Sequence, residues 1–364
     1  MFELIHENKS ARAGKLKTAH GTVETPCFMP VATKASVKTL SSSEILDIDV
    51  QALISNAFVL YLKPGVDVIE KAGGLHSFMK WGRTIFTDSG GFQILKEEFA
   101  PEVKDKGVTF RSPFDETRHL FTPEKCVGVQ EALGSDVAMV LDDCPPYGDG
   151  HDRMKTSVMR TTDWAKRAKD AHKNKKQLLF SIVQGGTFRD LREKSARDLV
   201  DIGFDGYGIG GLSIGEPKDK MLEVLAYTLP LLPRARPRYL MGVGSPVELI
   251  RSISLGTDIF DSAFPTRNAR HNSVYTWQGS YNITRGKYKT DFSSLEEGCT
   301  CYACENYTKA YIRHLMIVYE TLGMRLVTIH NLHFLRKLMK KARAAIEENR
   351  FSKFESEFSK MHAG

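Results

Sequence analysis

Long apolar runs are missing from this 364-residue chain. No stretch approaches the ~20 consecutive apolar residues needed to cross a bilayer, which excludes a membrane-spanning helix. The opening segment MFELIHENKSARAGK is charged from its start and holds no apolar core, so no secretory signal is expected. Cysteine is sparse, six in all, and Cys27, Cys126 and Cys144 are scattered. That is a reduced, intracellular pattern and not a disulfide framework. No fixed-period repeat, low-complexity tract or linker divides the chain. Charge of one sign is not in great excess either: 51 Lys and Arg against 44 Asp and Glu leave +7. Such a balance permits a nucleic-acid partner without demanding one. Basic clusters such as Lys166-Arg167-Ala168-Lys169 and Arg336–Arg343 read first as solvated helix faces. The expected setting is the cytoplasm.

The other three cysteines are concentrated. Cys299, Cys301 and Cys304 stand in Cys-x-Cys-x-x-Cys spacing, and His330 follows. Thiolates and an imidazole in a closed set of four suit tetrahedral zinc. Gly298 permits a tight loop there. Four protein ligands leave no open position, so the ion is expected to be structural. His333 lies one helical turn beyond His330, which leaves the fourth ligand open between them.

Eight short apolar runs recur before residue 265: Cys27–Ala32, Val50–Asn56, Thr84–Asp88, Val137–Asp142, Leu178–Gln184, Tyr207–Gly211, Arg238–Val243 and Ile259–Asp261. Amphipathic stretches separate most of them, including Met154–Asn174, Phe188–Ile202, Lys218–Leu229 and Pro246–Leu255. Strands alternating with helices imply parallel pairing. Eight such units predict an α/β fold, a (β/α)8 TIM barrel with a zinc-binding C-terminal appendage. We expect one domain over residues 1–364, with the barrel at about 1–285 and the zinc-binding part at about 286–364. The segment from Lys96 to Thr122 reads as an insertion carrying a hairpin.

Polar residues mark the ends of these strands. Asn56 follows the second and Asp88 the third. Asp142 and Asp143 close the fourth, Gln184 the fifth, Gly210-Gly211-Leu212 the sixth, Gly242-Val243-Gly244 the seventh, and Asp261 the eighth. In a barrel these positions share the face where active sites form. A single Asp there could be only a helix cap. Three of them around a Gln and several glycines point to chemistry. Two carboxylates across a barrel mouth suit displacement at a sugar carbon, one attacking and one handling a proton. A third Asp and a Gln can read the edge of a heterocycle. Phe92 could stack on a flat ring, and Arg267 and Arg270 beside Asp261 could hold phosphates.

In order and spacing, Asp88-Ser-Gly-Gly-Phe-Gln, Val183-Gln-Gly-Gly, Gly210-Gly-Leu-Ser, Met241-Gly-Val-Gly, Phe260-Asp-x-x-x-Pro-Thr-Arg-x-x-Arg and the cysteine–histidine set resemble the tRNA-guanine transglycosylase family, in its bacterial-type, queuine tRNA-ribosyltransferase form. The resemblance covers nearly the whole chain. It implies a pentosyltransferase that exchanges guanine at the wobble position of tRNAs with a GUN anticodon (those for Asp, Asn, His and Tyr). Asp261 would be the nucleophile, forming a covalent ribosyl-enzyme intermediate, and Asp88 the general acid/base. Asp142, Gln184, Gly211, Leu212, Phe92 and Met241 would hold the base. Thr266, Arg267 and Arg270 would contact tRNA. One structural Zn2+ per chain is the only cofactor implied. A homodimer is also implied, through Tyr307, Tyr311, His314 and Leu315 on one helix face, with Leu60 as a further interface position.

Some residues depart from the usual bacterial pattern. They are Ser55-Asn56-Ala57-Phe58-Val59-Leu60 after the second strand, Asp142-Asp143-Cys144-Pro-Pro after the fourth, and Ser245 where a Lys is common. Ile214 stands where queuine-using members have a Gly, and its bulk would crowd a cyclopentenediol. The expected incoming base is therefore 7-aminomethyl-7-deazaguanine, with the 7-cyano base and queuine as alternatives. The competing readings are a non-catalytic partner subunit, a DNA-directed relative and a carbohydrate-active barrel. Retention of Asp88, Asp142 and Asp261 argues against the first. The zinc appendage and the Pro-Thr-Arg segment lean toward tRNA over DNA. A glycine-rich, base-reading pocket has no evident use in the last.

Overall fold

A computed structural model describes residues 1–95, 99 and 101–362. Eight parallel strands form its centre, labelled here in chain order: β1 Cys27–Pro30, β2 Ala52–Asn56, β3 Thr84–Asp88, β4 Val137–Met139, β5 Leu178–Val183, β6 Gly206–Ile209, β7 Arg238–Leu240 and β8 Ile259–Ser262. Each pairs with its sequence neighbour from β2 to β8, and β8 pairs with β1. The remaining seam closes through a parallel bridge between Val31 and Ile54, with the Ala32 N–H donating to the Ile54 carbonyl at 2.7 Å. The predicted eight-stranded barrel is therefore present. Its strands begin or end within a few residues of the predicted runs.

The strands are apolar on both faces because helices cover the outside and side chains fill the inside. Phe86, Phe180, Tyr239 and Phe260 are fully buried. Phe86 packs edge-on to Phe180 and Tyr239, with ring centroids 5.7 and 6.2 Å away. Between strands, helices form where apolar residues recur every three or four positions. In His151–Ala171 the buried set includes Met154, Val158, Thr161, Trp164, Ala165 and Ala168. Pro123–Leu133 is bounded by local chemistry: Thr122 caps its start by accepting from the Lys125 N–H at 3.2 Å, Pro123 suits the first turn, and Gly134 ends it at φ +71°.

The inserted segment continues beyond a hairpin. Glu102–Lys104, Gly107–Arg111 and Arg118–Phe121 make a three-stranded antiparallel sheet. Lys96, Glu97, Glu98 and Ala100, the start of the expected insertion, lie outside the described residues. Sequence reading missed another antiparallel sheet, Phe2–Asn8, Ala11–Thr18 and Gly21–Thr25. It covers the end of the barrel where strands begin. Asp136, just before β4, accepts there from the His20 and Ile85 N–H groups at 3.0 and 2.8 Å and also meets the His76 ring. Arg12 meets the buried Asp258 at 3.3 Å.

After β8 come Phe264–Arg270, a short antiparallel pair (Ser273–Thr276 with Gly279–Asn282), and helices Tyr302–Asn306, Lys309–Ile317, Thr321–Glu347 and Phe351–Met361. The long helix Thr321–Glu347 lies against the barrel: Arg336 Nη2 meets Asp49 at 2.7 Å, and Arg343 donates to the Gly14 carbonyl at 2.5 Å. No described helix is long and apolar enough to cross a membrane.

Candidate active site and metal centre

The strands end around one open cavity of about 680 Å³, lined by residues from β2, β3, β7 and β8 and the loops after β1, β4 and β6. Asp88, Asp142 and Asp261 all face it, although they lie far apart in sequence. The barrel alone brings them together, because parallel strands deliver their C-terminal ends to one face. Gly210, Gly211, Leu212, Phe92, Met241 and Arg267 also line this cavity.

Each carboxylate has a distinct environment. Asp261 Oδ1 accepts from the Tyr239 hydroxyl at 2.5 Å and from the Gly242 N–H at 2.9 Å. Burial pushes its pKa up, and those two donors oppose the push by favouring the charged form. Asp88 is pushed up to about 7, first by burial and then by the negative charges of Asp142 and Asp261. Its Oδ2 accepts from Asn56 Nδ2 at 3.1 Å. Asn56 is itself fixed, since its Oδ1 accepts from the Val59 N–H at 2.8 Å and caps helix Ala57–Leu62. Burial also raises Asp142, to about 6, against a 2.6 Å hydrogen bond from Gln184 Nε2. Each of the three carboxylates thus accepts at least one hydrogen bond, and Asp88 is the one raised to about 7, where a carboxyl can exchange a proton near neutrality.

Adjacent residues part company here. Asp142 lines the cavity, whereas Asp143 turns away and is held by Arg153 (2.7 and 2.9 Å) and Arg160 (2.6 Å). Glycine is required where the wall is thin. A Cβ on Gly91 would stand 2.4 Å from Asp142 Oδ1, and one on Gly211, at φ +63°, would stand 2.5 Å from Gln184 Oε1.

Phe92 is 48% exposed, a free ring face beside the carboxylates. Arg267 is exposed at the rim. Arg270 is half-buried and donates to the Thr266 carbonyl at 2.7 Å. Thr266 sits deeper than either arginine. The motif places it against RNA, but it is buried and its hydroxyl donates to the Ala263 carbonyl at 3.1 Å. It fixes the turn that presents Arg267.

Two expected interface residues are likewise core residues of the single chain: Leu315 is 6% exposed and Leu60 fully buried. The helix stripe keeps Tyr311 and His314 outside, with Tyr307 half-buried and stacked on Tyr311 at 5.5 Å. Tyr239 is a site residue that sequence reading missed. The available signal was a tyrosine inside an otherwise apolar barrel strand, where a buried hydroxyl needs a partner.

The three thiols converge as expected. Their sulfurs lie 3.7 Å (Cys299), 3.5 Å (Cys301) and 3.4 Å (Cys304) from His330 Nδ1. Tetrahedral zinc with ordinary Zn–S and Zn–N bonds sets that separation at about 3.6 Å, so the donor set fits the ion. His330 Nε2 lies 2.7 Å from the Tyr275 carbonyl, which orients the ring and leaves Nδ1 for the metal. The four donor atoms lie within 4.8 Å of one another, and this group contains His330, not His333.

The profile of the queuine tRNA-ribosyltransferase family matches residues 7–364. Proteins called queuine tRNA-ribosyltransferase are similar over nearly their full lengths. That of Halothermothrix orenii is 50% identical across 99% of this chain and 97% of its own. That of Pelotomaculum thermopropionicum is 52% identical across 98% and 97%, and that of Bacillus subtilis 50% identical across 98% and 94%. With its barrel, cavity and cysteine–histidine cluster all inside the matched span, the chain belongs to the queuine tRNA-ribosyltransferase family of enzymes.

Proposed function

We propose that this enzyme replaces guanine at the wobble position of GUN-anticodon tRNAs with a 7-substituted 7-deazaguanine. One observation carries the reading: Asp88 and Asp261 face the same cavity, and burial raises both, Asp88 with the charges of Asp142 and Asp261 added. Asp261 has two donors for its charged form, and Asp88 titrates at about 7. In the first half-reaction the Asp261 carboxylate attacks the anomeric carbon of the ribose. The carbon–nitrogen bond to guanine breaks, its electron pair leaves with the base, and protonated Asp88 supplies the proton. In the second half, Asp88 takes the proton from the ring nitrogen of the incoming base. That nitrogen attacks the same carbon, and the bond to Asp261 breaks. General acid/base help of this kind is worth about 10²–10⁴ in rate.

Asp142, which the Gln184 amide holds at 2.6 Å, supplies an acceptor for the edge of the base, and Phe92 supplies a face for stacking. Met241 and Leu212 form the apolar part of the wall. Ile214 lines the cavity beside Ser213. Its bulk favours a compact aminomethyl substituent over the larger group of queuine. Arg267 and Arg270 would hold the backbone of the anticodon loop. Zinc on Cys299, Cys301, Cys304 and His330 would serve as a structural ion that ties the loop before Tyr302 to helix Thr321–Glu347. The enzyme would work as a homodimer.

The test is incubation with labelled guanine and unmodified tRNA carrying a GUN anticodon. Label should enter that tRNA and no tRNA of another anticodon class. No incorporation by intact, zinc-loaded enzyme would overturn the reading. Labelling of DNA instead would favour the DNA-directed alternative.

A further inference from the structure

Arg192 is fully buried, and no carboxylate pairs with it among the described residues. Its guanidinium donates instead to three carbonyls: Gly186 (Nε, 2.8 Å), Val183 (Nη1, 2.8 Å) and Gly211 (Nη2, 3.3 Å). Val183 ends β5, Gly186 lies in the loop after it, and Gly211 lies in the loop after β6. One turn along the same helix, Arg189–Ile202, the Ser195 hydroxyl oxygen accepts from the Gln184 N–H at 3.1 Å. The backbone is close enough to demand glycine: a Cβ on Gly185 would stand 2.7 Å from the Arg192 nitrogen. Helix Arg189–Ile202 thus grips the backbone on both sides of Gln184 from behind, and reaches across to the neighbouring loop.

The consequence lies on the cavity side. A trans peptide holds its C=O and the following N–H on opposite edges. Tethering the Gly211 carbonyl to Arg192 therefore turns the Leu212 N–H the other way, and Leu212 lines the cavity. Fixing Val183, Gln184 and Gly186 likewise aims the Gln184 side chain at Asp142, which it meets at 2.6 Å. A buried charge with only carbonyl partners is costly to keep, and a packing role alone would be met by an apolar side chain.

We propose that Arg192 is a positioning residue for base recognition: it sets Gln184, which holds Asp142, and the Gly211–Leu212 peptide, which lines the cavity, for a purine-like base. This rests on the base-exchange reading above. The experiment is calorimetric titration of the full-length enzyme with guanine, with exchange kinetics on tRNA alongside. Arg192→Lys keeps the charge but loses the three-way fork. It should weaken guanine binding and raise KM for the base roughly 10–100-fold, leaving KM for tRNA within about twofold, as expected when about two hydrogen bonds to a neutral base are lost. Arg192→Met is the second variant, and should be weaker still while melting near the wild type. Ser195→Ala should show a smaller effect in the same direction. Unchanged guanine affinity in folded Arg192→Lys would overturn the proposal, as would equal losses for base and tRNA. Wild-type enzyme that binds no guanine would overturn the base-exchange reading instead.

Discussion

The Tyr239 hydroxyl stands 2.5 Å from Asp261 Oδ1, reaching from β7 to the neighbouring β8. Tyr239 is fully buried and its own pKa is driven well above normal, by burial and then by the Asp261 charge, so it stays a donor. A donor to a carboxylate lowers its pKa. Tyr239→Phe should therefore raise that of Asp261. The acid limb of the exchange rate against pH should move up by about 1–2 units, the equivalent of about 1.5–3 kcal/mol for a hydrogen bond to a charged group. Asp261→Asn should abolish exchange and the denaturation-resistant protein–RNA adduct, while leaving tRNA binding intact. An unmoved limb in the Phe variant would show that Gly242 alone suffices.

Asp88 offers a test in which activity and stability move oppositely. Its folded pKa of about 7 exceeds that of an ordinary carboxylate near 4. Between those values the folded protein binds a proton that the unfolded chain has released, so stability contributed by Asp88 declines as pH rises through that window. Asp88→Asn should cut single-turnover exchange roughly 10²–10⁴-fold, yet raise Tm at pH 8 by a few degrees. At pH 4 the Tm difference should vanish. A variant that loses stability at pH 8 would assign Asp88 to capping the Gly90–Gly91 turn.

These two residues also show what is legible in a sequence. Asp88 and Asp261 can be found because a strand that stops at a carboxylate is a local pattern, and eight strands alternating with helices fix which face those stops share. Tyr239, Asn56 and Arg192 act through partners 22, 32 and 19 residues away. Local periodicity carries no such information: Tyr239 reads as one more buried strand residue and Arg192 as a charge on an amphipathic helix. The N-terminal sheet escapes for a related reason. Its strands mix charged and apolar residues, and in Ala11–Thr18 even Arg12 is buried, beside Asp258. A motif gives spacing and not direction, so it does not reveal that the Thr266 side chain is buried.

The metal cluster predicts one zinc per chain. Structural zinc contributes folding free energy directly, so Cys301→Ser or prolonged chelation should destabilise the segment before helix Thr321–Glu347 first. Faster hydrogen exchange over Cys299–Asn306, with the barrel strands unchanged, would register this. His333→Ala should retain the ion, because the sulfurs converge on His330. Metal analysis that finds no zinc, or a chelated protein with unaltered exchange, would refute the assignment.

Salt dependence should separate the two arginines. Neutralising one fewer phosphate flattens log K against log salt by about 0.7–0.9. Arg267 is exposed at the rim, so Arg267→Ala should give the full change. Arg270 already spends a donor on the Thr266 carbonyl, and Arg270→Ala should give less. Filter binding of tRNA across a salt series measures both. Parallel slopes for wild type and both variants would place the phosphates elsewhere.

The final prediction concerns association. Tyr302, Tyr311, Ile317, Val318 and Tyr319 are 53%, 42%, 43%, 49% and 81% exposed, on helices Tyr302–Asn306 and Lys309–Ile317 and the loop that follows them. Tyr302 meets Tyr307 edge-on, and Tyr307 stacks on Tyr311. An apolar patch with aromatic, hydroxyl-tipped members has the composition of an interface centre. The partner we propose for it is a second copy of the chain. Light scattering at micromolar concentration should give about twice the mass of one chain. Tyr311→Ala should shift the protein toward monomer without changing its melting under dilute conditions, since Tyr311 lies outside the core that Leu60 and Leu315 belong to. Leu315→Ala, by contrast, should lower Tm in the monomer itself, by roughly 2–5 kcal/mol of stability as for other core truncations. A wild-type chain that stays monomeric at this concentration and still exchanges base would leave the patch to a different partner.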